Sequence, residues 1–243
     1  HDTQNVMEDL MKRSAIAAAL TATALFGSAS GALGAASAPR HSSIFAGYEV
    51  SKPKKHIKNV SATFVVPTIT CQHKFGGVGP SVLVYSNVNS ATGTHRTSGG
   101  GIGVACENGN AFYQSVFIVN DKTVQSGLIT LSPGDVVVVS VAVTLSGTNV
   151  TIDDTTTDVS KSHTGAGKVA TQTFIGDNSV NVDGVSGKLN PFTKTHVTNV
   201  VIDDSPLGSN HPHRYVWVRG DTTLVTASPL TSDENFSLTF RSS

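Results

Sequence analysis

In the stretch VVVVSVAVTL, residues 136–145, Ser140, Ala142 and Thr144 fall on one face of an extended chain and valines fall on the other. A period of two predicts a half-buried β-strand, and the preceding SPGD (132–135) is a turn with proline at its second position. Similar short runs of β-forming residues recur along the chain, bounded by Gly, Pro, Asn, Asp and Ser. The pattern indicates an all-β sandwich or barrel.

Composition restricts the kind of partner. The 243 residues carry 17 basic and 17 acidic side chains, and only 14% of the chain is charged. Because there is no basic excess, we expect no nucleic-acid partner. The KPKKHIK stretch (52–58) is interpreted as a solvated loop.

The N-terminal segment has the order of a secretory signal. Lys12 and Arg13 precede the apolar run 15–27, and small residues follow at 28–38. The apolar run is too short to span a bilayer, so we expect no membrane association after cleavage. We therefore predict that residues 1–38 are upstream residues and a signal peptide. Residues 39–243 would then form a single β-sandwich domain that is secreted and monomeric.

Export would make the two cysteines a disulfide. Cys71 and Cys106 are an even pair, and an oxidising compartment favours their pairing. The loop of about 35 residues would contribute roughly 3–4 kcal/mol in a chain-entropy model. Two thiolates with His73 alone do not supply a metal site.

The stretch TSGGGIGVAC (97–106) raises the question of a phosphate-binding loop. A dinucleotide fingerprint requires a strand before the glycines and a helix after them, whereas here a turn-like ENGN (107–110) and another strand follow. Glycine at the start of a strand instead indicates close backbone approach or a bulge. No cofactor is expected, and no metal: His211, His213 and the DDTTTD stretch (153–158) are interpreted as loop and turn residues.

Five segments resemble, in order, those of the glutamic peptidases (eqolisins), which are secreted acid proteases. The segments are FAGYEV (45–50), VSATFVVPTITC (60–71), LSPGDVVVVSVAV (131–143), DDTTTDVSKSHTGAG (153–167) and TASPLTSDENFSLTF (226–240). The resemblance implies a concanavalin A-like β-sandwich of two antiparallel sheets with a concave cleft.

The resemblance also implies where the catalytic pair would lie. Active members use a glutamate as general base for a water and a glutamine to stabilise the oxyanion. Aligned through the ENG turn and Cys106, the glutamine position falls at Gly99, and the glutamate position falls at Gln172. A shift of one or two residues would bring Ser98 to the first position, or Asp177 toward the cleft as an alternative base.

Other cleft positions of the family are substituted as well. The resemblance places Leu83 and Asn87 where the family has tryptophan and aspartate. It places Val116 and Phe117 at aromatic cleft walls and Ile118 at a glutamate. The sequence therefore predicts a non-catalytic relative that binds an extended peptide or a glycan in its cleft. The alternatives are an acid endopeptidase working through substituted residues, and a cell-surface or matrix component without a ligand.

Overall fold

The valine-rich stretch forms the strand Val136–Thr144 in the computed structural model of the chain. Val137, Val139 and Val141 are buried, while the residues between them are only partly buried. The predicted alternation is confirmed, because successive side chains of a strand point to opposite faces of the sheet.

The structure describes residues 38–242, except for 53, 73–76, 90–94, 125, 168 and 179–188. Ser37–Ser243 forms one compact unit. The predicted upstream and signal segment lies outside the described residues except for Ala38. Within the part of the chain that is described, no helix is both long and apolar enough to cross a membrane.

Sixteen strands and one 3-10 helix, Leu207–Asn210, are described. In chain order the strands are β1 (Arg40–Ser42), β2 (Phe45–Ser51), β3 (Asn59–Val65), β4 (Gly77–Asn89), β5 (His95–Glu107), β6 (Asn110–Val119), β7 (Lys122–Val124), β8 (Val136–Thr144), β9 (Gly147–Asp154), β10 (Val159–Gly165), β11 (Val169–Asn178), β12 (Thr195–Ile202), β13 (Ser205–Pro206), β14 (His213–Arg219), β15 (Thr222–Ala227) and β16 (Phe236–Phe240).

The strands form a single hydrogen-bonded path in the order β10-β9-β8-β3-β12-β16-β15-β14-β2-β11-β4-β5-β6-β7. Neighbours along this path are antiparallel, and β1 adds to β14 in parallel. The path folds over so that β4 and β5 pack on β8 and β9. The all-β sandwich is therefore confirmed. The two layers are not two separate sheets, because hydrogen bonds through β15 and its neighbours connect them into one.

The main core lies between these two layers. Val139 and Ile152 of one layer and Ile102 and Ile175 of the other are fully buried in it. Gly100 of β5 leaves space for the opposite layer, because a Cβ at that position would already touch the methyl groups of Ile152 and Val150 at 3.0 Å. One glycine of the run is thus explained by packing between the layers.

Cys71 and Cys106 form the predicted disulfide, with their Cα atoms 5.6 Å apart. The bond ties the segment after β3 to the end of β5. Cys106 is buried in the main core, and Cys71 packs against it.

We expect loss of this disulfide to lower the free energy of unfolding by about 3 kcal/mol, because an uncrosslinked chain gains entropy when it unfolds. The measurement is urea unfolding of the oxidised chain, the reduced chain and the variant Cys71→Ala/Cys106→Ala. Equal unfolding free energies for the oxidised and reduced chains would contradict the expectation.

Candidate groove site

The outer face of the layer that contains β14, β2, β11, β4, β5 and β6 forms a groove of about 450 Å³. Cross-strand register aligns Glu49, Phe174, Tyr85, Gly99 and Ile118 in one row across β2, β11, β4, β5 and β6. Since residues directly opposite one another in antiparallel strands share a face, this row crosses the floor of the groove.

The glycines of β5 leave this face of the strand empty. An ideal Cβ at Gly99 would lie 2.3 Å from the carbonyl oxygen of Val84, and one at Gly101 would lie 2.0 Å from that of Val82. Real Cβ atoms do not approach backbone atoms so closely.

The space above the two glycines is taken by apolar side chains of the flanking strands. Leu83 and Tyr85 of β4 and Val116 and Ile118 of β6 form a small cluster, with Phe174 packed against it. This cluster accounts for Gly99 and Gly101. Side chains of β4 and β6 can meet above β5 only where β5 carries no side chain of its own.

A chain of polar side chains crosses the groove floor beside this cluster. Asn87 donates through Nδ2 to Oε1 of Gln172 at 2.7 Å, and Gln172 donates through Nε2 to Oε1 of Glu49 at 2.6 Å. Tyr215 donates its hydroxyl to the other oxygen of Glu49, also at 2.6 Å. Thr97 reaches Oδ1 of Asn87 at 3.5 Å, at the outer limit of a hydrogen bond. The chain thus joins β5, β4, β11, β2 and β14, and it holds a carboxylate in contact with an amide.

Glu49 was missed by reasoning from sequence. It lies in FAGYEV (45–50), where it is the single charged residue of a strand that is otherwise buried. A lone carboxylate in such a strand is the signal that could have identified it, because buried charges need a specific reason. Its partner Gln172 lies 123 positions away, so the pair itself could not be read from spacing.

Four aromatic rings line the same groove. Phe45 contacts Tyr85, Phe174 and Tyr215 edge to face, and Tyr85 stacks on Phe174 with their ring centroids 4.9 Å apart. Burial raises the pKa of Tyr85, although a hydrogen bond from Asn178 opposes this. Burial and the hydrogen bond to Glu49 likewise raise the pKa of Tyr215. Both phenols therefore stay protonated and act as hydrogen-bonding groups over the physiological range.

The structure brings together most of the residues that the sequence indicated. Gly99, Gln172, Leu83, Asn87 and Val116 lie on the groove face. Within that set, Leu83 and Val116 are almost fully buried under the aromatic rings and Ile118 rather than exposed as walls.

Phe117 and Asp177 are placed elsewhere, which corrects their interpretation as cleft residues. Phe117 is fully buried in the main core and contacts the His163 ring edge to face, because it alternates with Val116 and Ile118. Asp177 is fully buried, and its Oδ1 accepts a hydrogen bond from the backbone N–H of Ser81. It does not line the groove.

Within the described ranges no three His, Cys, Asp or Glu side chains gather as a ligand set. Asp154 of the DDTTTD stretch is occupied instead by a turn, since it accepts hydrogen bonds from the N–H groups of Thr156 and Thr157 and from the Thr157 hydroxyl.

Comparison with known proteins gives one family and a consistent set of folds. The model of the peptidase A4 family matches residues 43–237. Similar solved structures include scytalido-glutamic peptidase with a peptide-based transition-state analogue, at 15% identity and a TM-score of 0.60, which covers 82% of this chain and 98% of that one. SCP-B, an eqolisin in complex with the tripeptide Ala-Ile-His, has 15% identity and a TM-score of 0.61 with the same coverage.

Aspergilloglutamic peptidase from Aspergillus niger is similar at 17% identity and a TM-score of 0.50, covering 76% of this chain and 99% of that one. At these identities the likeness establishes the fold. No curated protein sequence matches the chain.

Proposed function

The chain belongs to the peptidase A4 family, the glutamic peptidases or eqolisins, and we propose that its groove binds an extended polypeptide without hydrolysing it. The observation that carries the proposal is the packing at Gly99, the position that the resemblance assigns to the catalytic glutamine. Even a Cβ at Gly99 would lie 2.3 Å from the carbonyl oxygen of Val84. This position of β5 therefore cannot present a glutamine side chain whose amide stabilises an oxyanion.

The position assigned to the catalytic glutamate supports the same proposal. Gln172 carries an amide there, and an amide does not accept a proton from water as a general base does. Its carbonyl oxygen and its NH₂ group are both occupied, by Asn87 and by Glu49 respectively. Loss of either catalytic group typically lowers the rate by two to four orders of magnitude.

A polypeptide is the ligand that the groove favours. The aromatic rings of the groove provide apolar contacts, and its amide and carboxylate groups provide a few fixed polar partners. This is the usual composition of a ligand pocket. A relative of this fold, SCP-B, was solved with a bound tripeptide. A glycan is the competing ligand, because aromatic rings beside amides also suit sugars.

The protein acts outside the cell as a monomer. The Cys71–Cys106 disulfide supports an oxidising compartment, which is what the predicted signal segment would lead to. The exposed large apolar side chains of the described residues are distributed over separate segments rather than over one strand face, consistent with a chain that functions alone. They are Ile44, Val65, Phe112, Leu145 and Val159.

One observation favours acid endopeptidase activity as a second candidate. Glu49 and Gln172 place a carboxylate and an amide 2.6 Å apart in the groove. In that reaction Glu49 would take a proton from a water whose oxygen attacks the peptide carbonyl. The Gln172 amide would turn to donate a hydrogen bond to the oxyanion. Protonated Glu49 would then protonate the amine as the C–N bond breaks.

A single pair of measurements separates the two candidates. We expect the purified mature chain to bind a fluorescent-labelled, unstructured peptide in a polarisation assay and to leave a denatured protein intact from acid to neutral pH. Glu49→Gln is the test variant and Glu234→Gln, remote from the groove, is its control.

Hydrolysis that falls by a factor of about 10² to 10⁴ in Glu49→Gln but persists in Glu234→Gln would replace the first candidate by the second. Binding to oligosaccharides and to no peptide would show that the ligand class is wrong. Gly99→Gln, which restores the family's glutamine in the alignment, is unsuitable as a test because the fold does not accommodate it.

A further inference from the structure

Glu49 is a buried carboxylate without a cationic partner. Its side chain belongs to a residue that is only 8% exposed, yet it lies on the wall of the groove. Among the residues that the structure describes, no lysine, arginine or histidine nitrogen lies within 4.0 Å of it. Buried charges in proteins are normally paired, so an unpaired one that faces a groove leaves an interaction for a ligand to complete.

From this we propose that the groove selects polypeptides by a cationic side chain, lysine or arginine, which places its charge beside Glu49. The proposal rests on the proposed function, since it assumes that the ligand is a polypeptide. It names the ligand chemistry that the groove recognises.

The carboxylate retains capacity for such a ligand. An ionised carboxylate offers about four lone-pair sites. The hydrogen bonds from Gln172 and Tyr215 use two of them, one on each oxygen. These two donors are neutral, so they fix the orientation of the carboxylate without forming an ion pair with it. An ammonium or guanidinium group would add charge-assisted hydrogen bonds, which are about twice as strong as neutral ones.

The remaining charges on the lining have the same sign. Asp121 lies across the groove and accepts a hydrogen bond from the N–H of Thr97. The lining contains no lysine, arginine or histidine among the described residues. Arg40, on β1, donates to the hydroxyl of Tyr215 and approaches His213 at 3.2 Å instead of pairing with Glu49. The charged side chains of the lining itself are thus two carboxylates, Glu49 and Asp121, which favours a cationic ligand group.

The aromatic lining suits the rest of a long cationic side chain. Lysine and arginine bury their aliphatic stems against apolar surface while the charged head reaches a polar group. Phe45 and Phe174 lie beside Glu49, and Ile44 is 54% exposed at the rim. The rings also accept cations on their faces: the guanidinium of Arg40 lies 6.0 Å from the centre of the Tyr215 ring.

The test compares short labelled peptides of one sequence, blocked at both ends, whose central residue is lysine, arginine, norleucine or glutamate. We expect the lysine and arginine peptides to bind about tenfold more tightly than the norleucine peptide. The glutamate peptide should bind most weakly. The preference for lysine should decrease as salt is added, because screening weakens charge interactions at a groove open to solvent.

Glu49→Gln should abolish this preference, so that the lysine, arginine and norleucine peptides bind within about a factor of two of one another. Asp121→Asn, which keeps the acceptor for Thr97, should reduce the preference only in part. Glu234→Gln serves as the matched control and should retain it. Circular dichroism of each variant checks that the fold is intact, and mass spectrometry checks that the peptides remain uncut.

Equal binding of the lysine and norleucine peptides, or a preference that survives in Glu49→Gln, would overturn the inference while leaving peptide binding in place. If none of the four peptides binds, the proposed function itself fails, and the inference fails with it. The two failures are therefore distinguishable.

Discussion

Gly99→Ala should lower the free energy of unfolding by about 4 kcal/mol, a large effect for a single methyl group. The new Cβ would lie 2.3 Å from the carbonyl oxygen of Val84 and 2.4 Å from the Cα of Tyr85. Both atoms belong to the backbone of β4, so no side-chain rotation relieves the contact. Strands β4 and β5 would have to separate where they share a long antiparallel ladder.

Urea unfolding of the wild type and the variant measures this effect. The control is Gly109→Asn, in the turn between β5 and β6, where a Cβ has nothing within 4 Å and asparagine tolerates the positive φ of 82°. We expect the control to cost at most about 1 kcal/mol. A Gly99→Ala protein as stable as the wild type would show that β4 can move away.

The outcome also bears on the proposal that Gly99 occupies the position of the family's glutamine. If Gly99→Ala is strongly destabilising, the glycine is required by the packing of Leu83, Tyr85, Val116 and Ile118 over β5. Restoring a glutamine would then demand that this cluster be rebuilt as well. The absence of a glutamine at this position would then depend on several strands and not on one residue.

The fold was largely predictable because its determinants are local. Val139, Val141 and Val143 alternate with small or polar residues, and this period alone predicts a strand and its buried face. An even pair of cysteines predicts a disulfide by the same kind of local argument. The continuous hydrogen-bonded path through β15 was not predictable, because strand pairing depends on contacts between distant segments.

Part of the candidate groove was predictable from the sequence, but its hydrogen bonds were not. The resemblance to glutamic peptidases brought Gly99 and Gln172 to the groove, and both lie there. It failed at Phe117 and Asp177, because an error of one residue moves a side chain to the other face of a strand. A register shift between Ala170 and Gln172 makes such an error easy in β11.

Glu49 shows the limit of reasoning along the chain. In sequence it is one glutamate in an apolar strand, and its role depends on Gln172 and Tyr215, which follow more than 100 positions later. Only the fold reveals that the amide of Gln172, which the resemblance assigns to the family's glutamate position, faces a carboxylate from a neighbouring strand. That contact is the basis of both the second candidate function and the proposed cation selectivity.

Asp177 should contribute stability in acid that is lost at neutral pH. Complete burial raises the pKa of its carboxyl from 3.8 to about 7, although the backbone N–H groups of Ser81 and Asn178 oppose the shift. Its Oδ2 has no hydrogen-bond partner. Between about pH 4 and about pH 7 the folded chain therefore keeps a proton that the unfolded chain has released. Stability from this group is present in full below about pH 4 and is lost as the pH rises to about 7.

A pKa raised from 3.8 to about 7 corresponds to roughly 4 kcal/mol of unfolding free energy across this interval. Asp177→Asn should abolish this dependence because an amide does not titrate, and it keeps the acceptor for the Ser81 N–H. At about pH 7 the variant should be more stable than the wild type by up to roughly 4 kcal/mol, less the cost of burying an NH₂ group without a partner, which is about 1–3 kcal/mol. In acid the order should reverse.

Urea unfolding of both proteins over this pH interval gives the result as a difference, in which the titration of all other groups cancels. The exposed Asp158, changed to Asn, provides a control whose stability should follow the wild type at every pH. A constant difference between the wild type and Asp177→Asn would mean that the carboxyl finds a partner when it ionises. If the difference changes sign as expected, Asp177 is protonated throughout the acid range, so it is excluded as a general base there. Any acid hydrolysis would then have to depend on a carboxylate that lines the groove, and Glu49, in contact with the Gln172 amide, is the candidate.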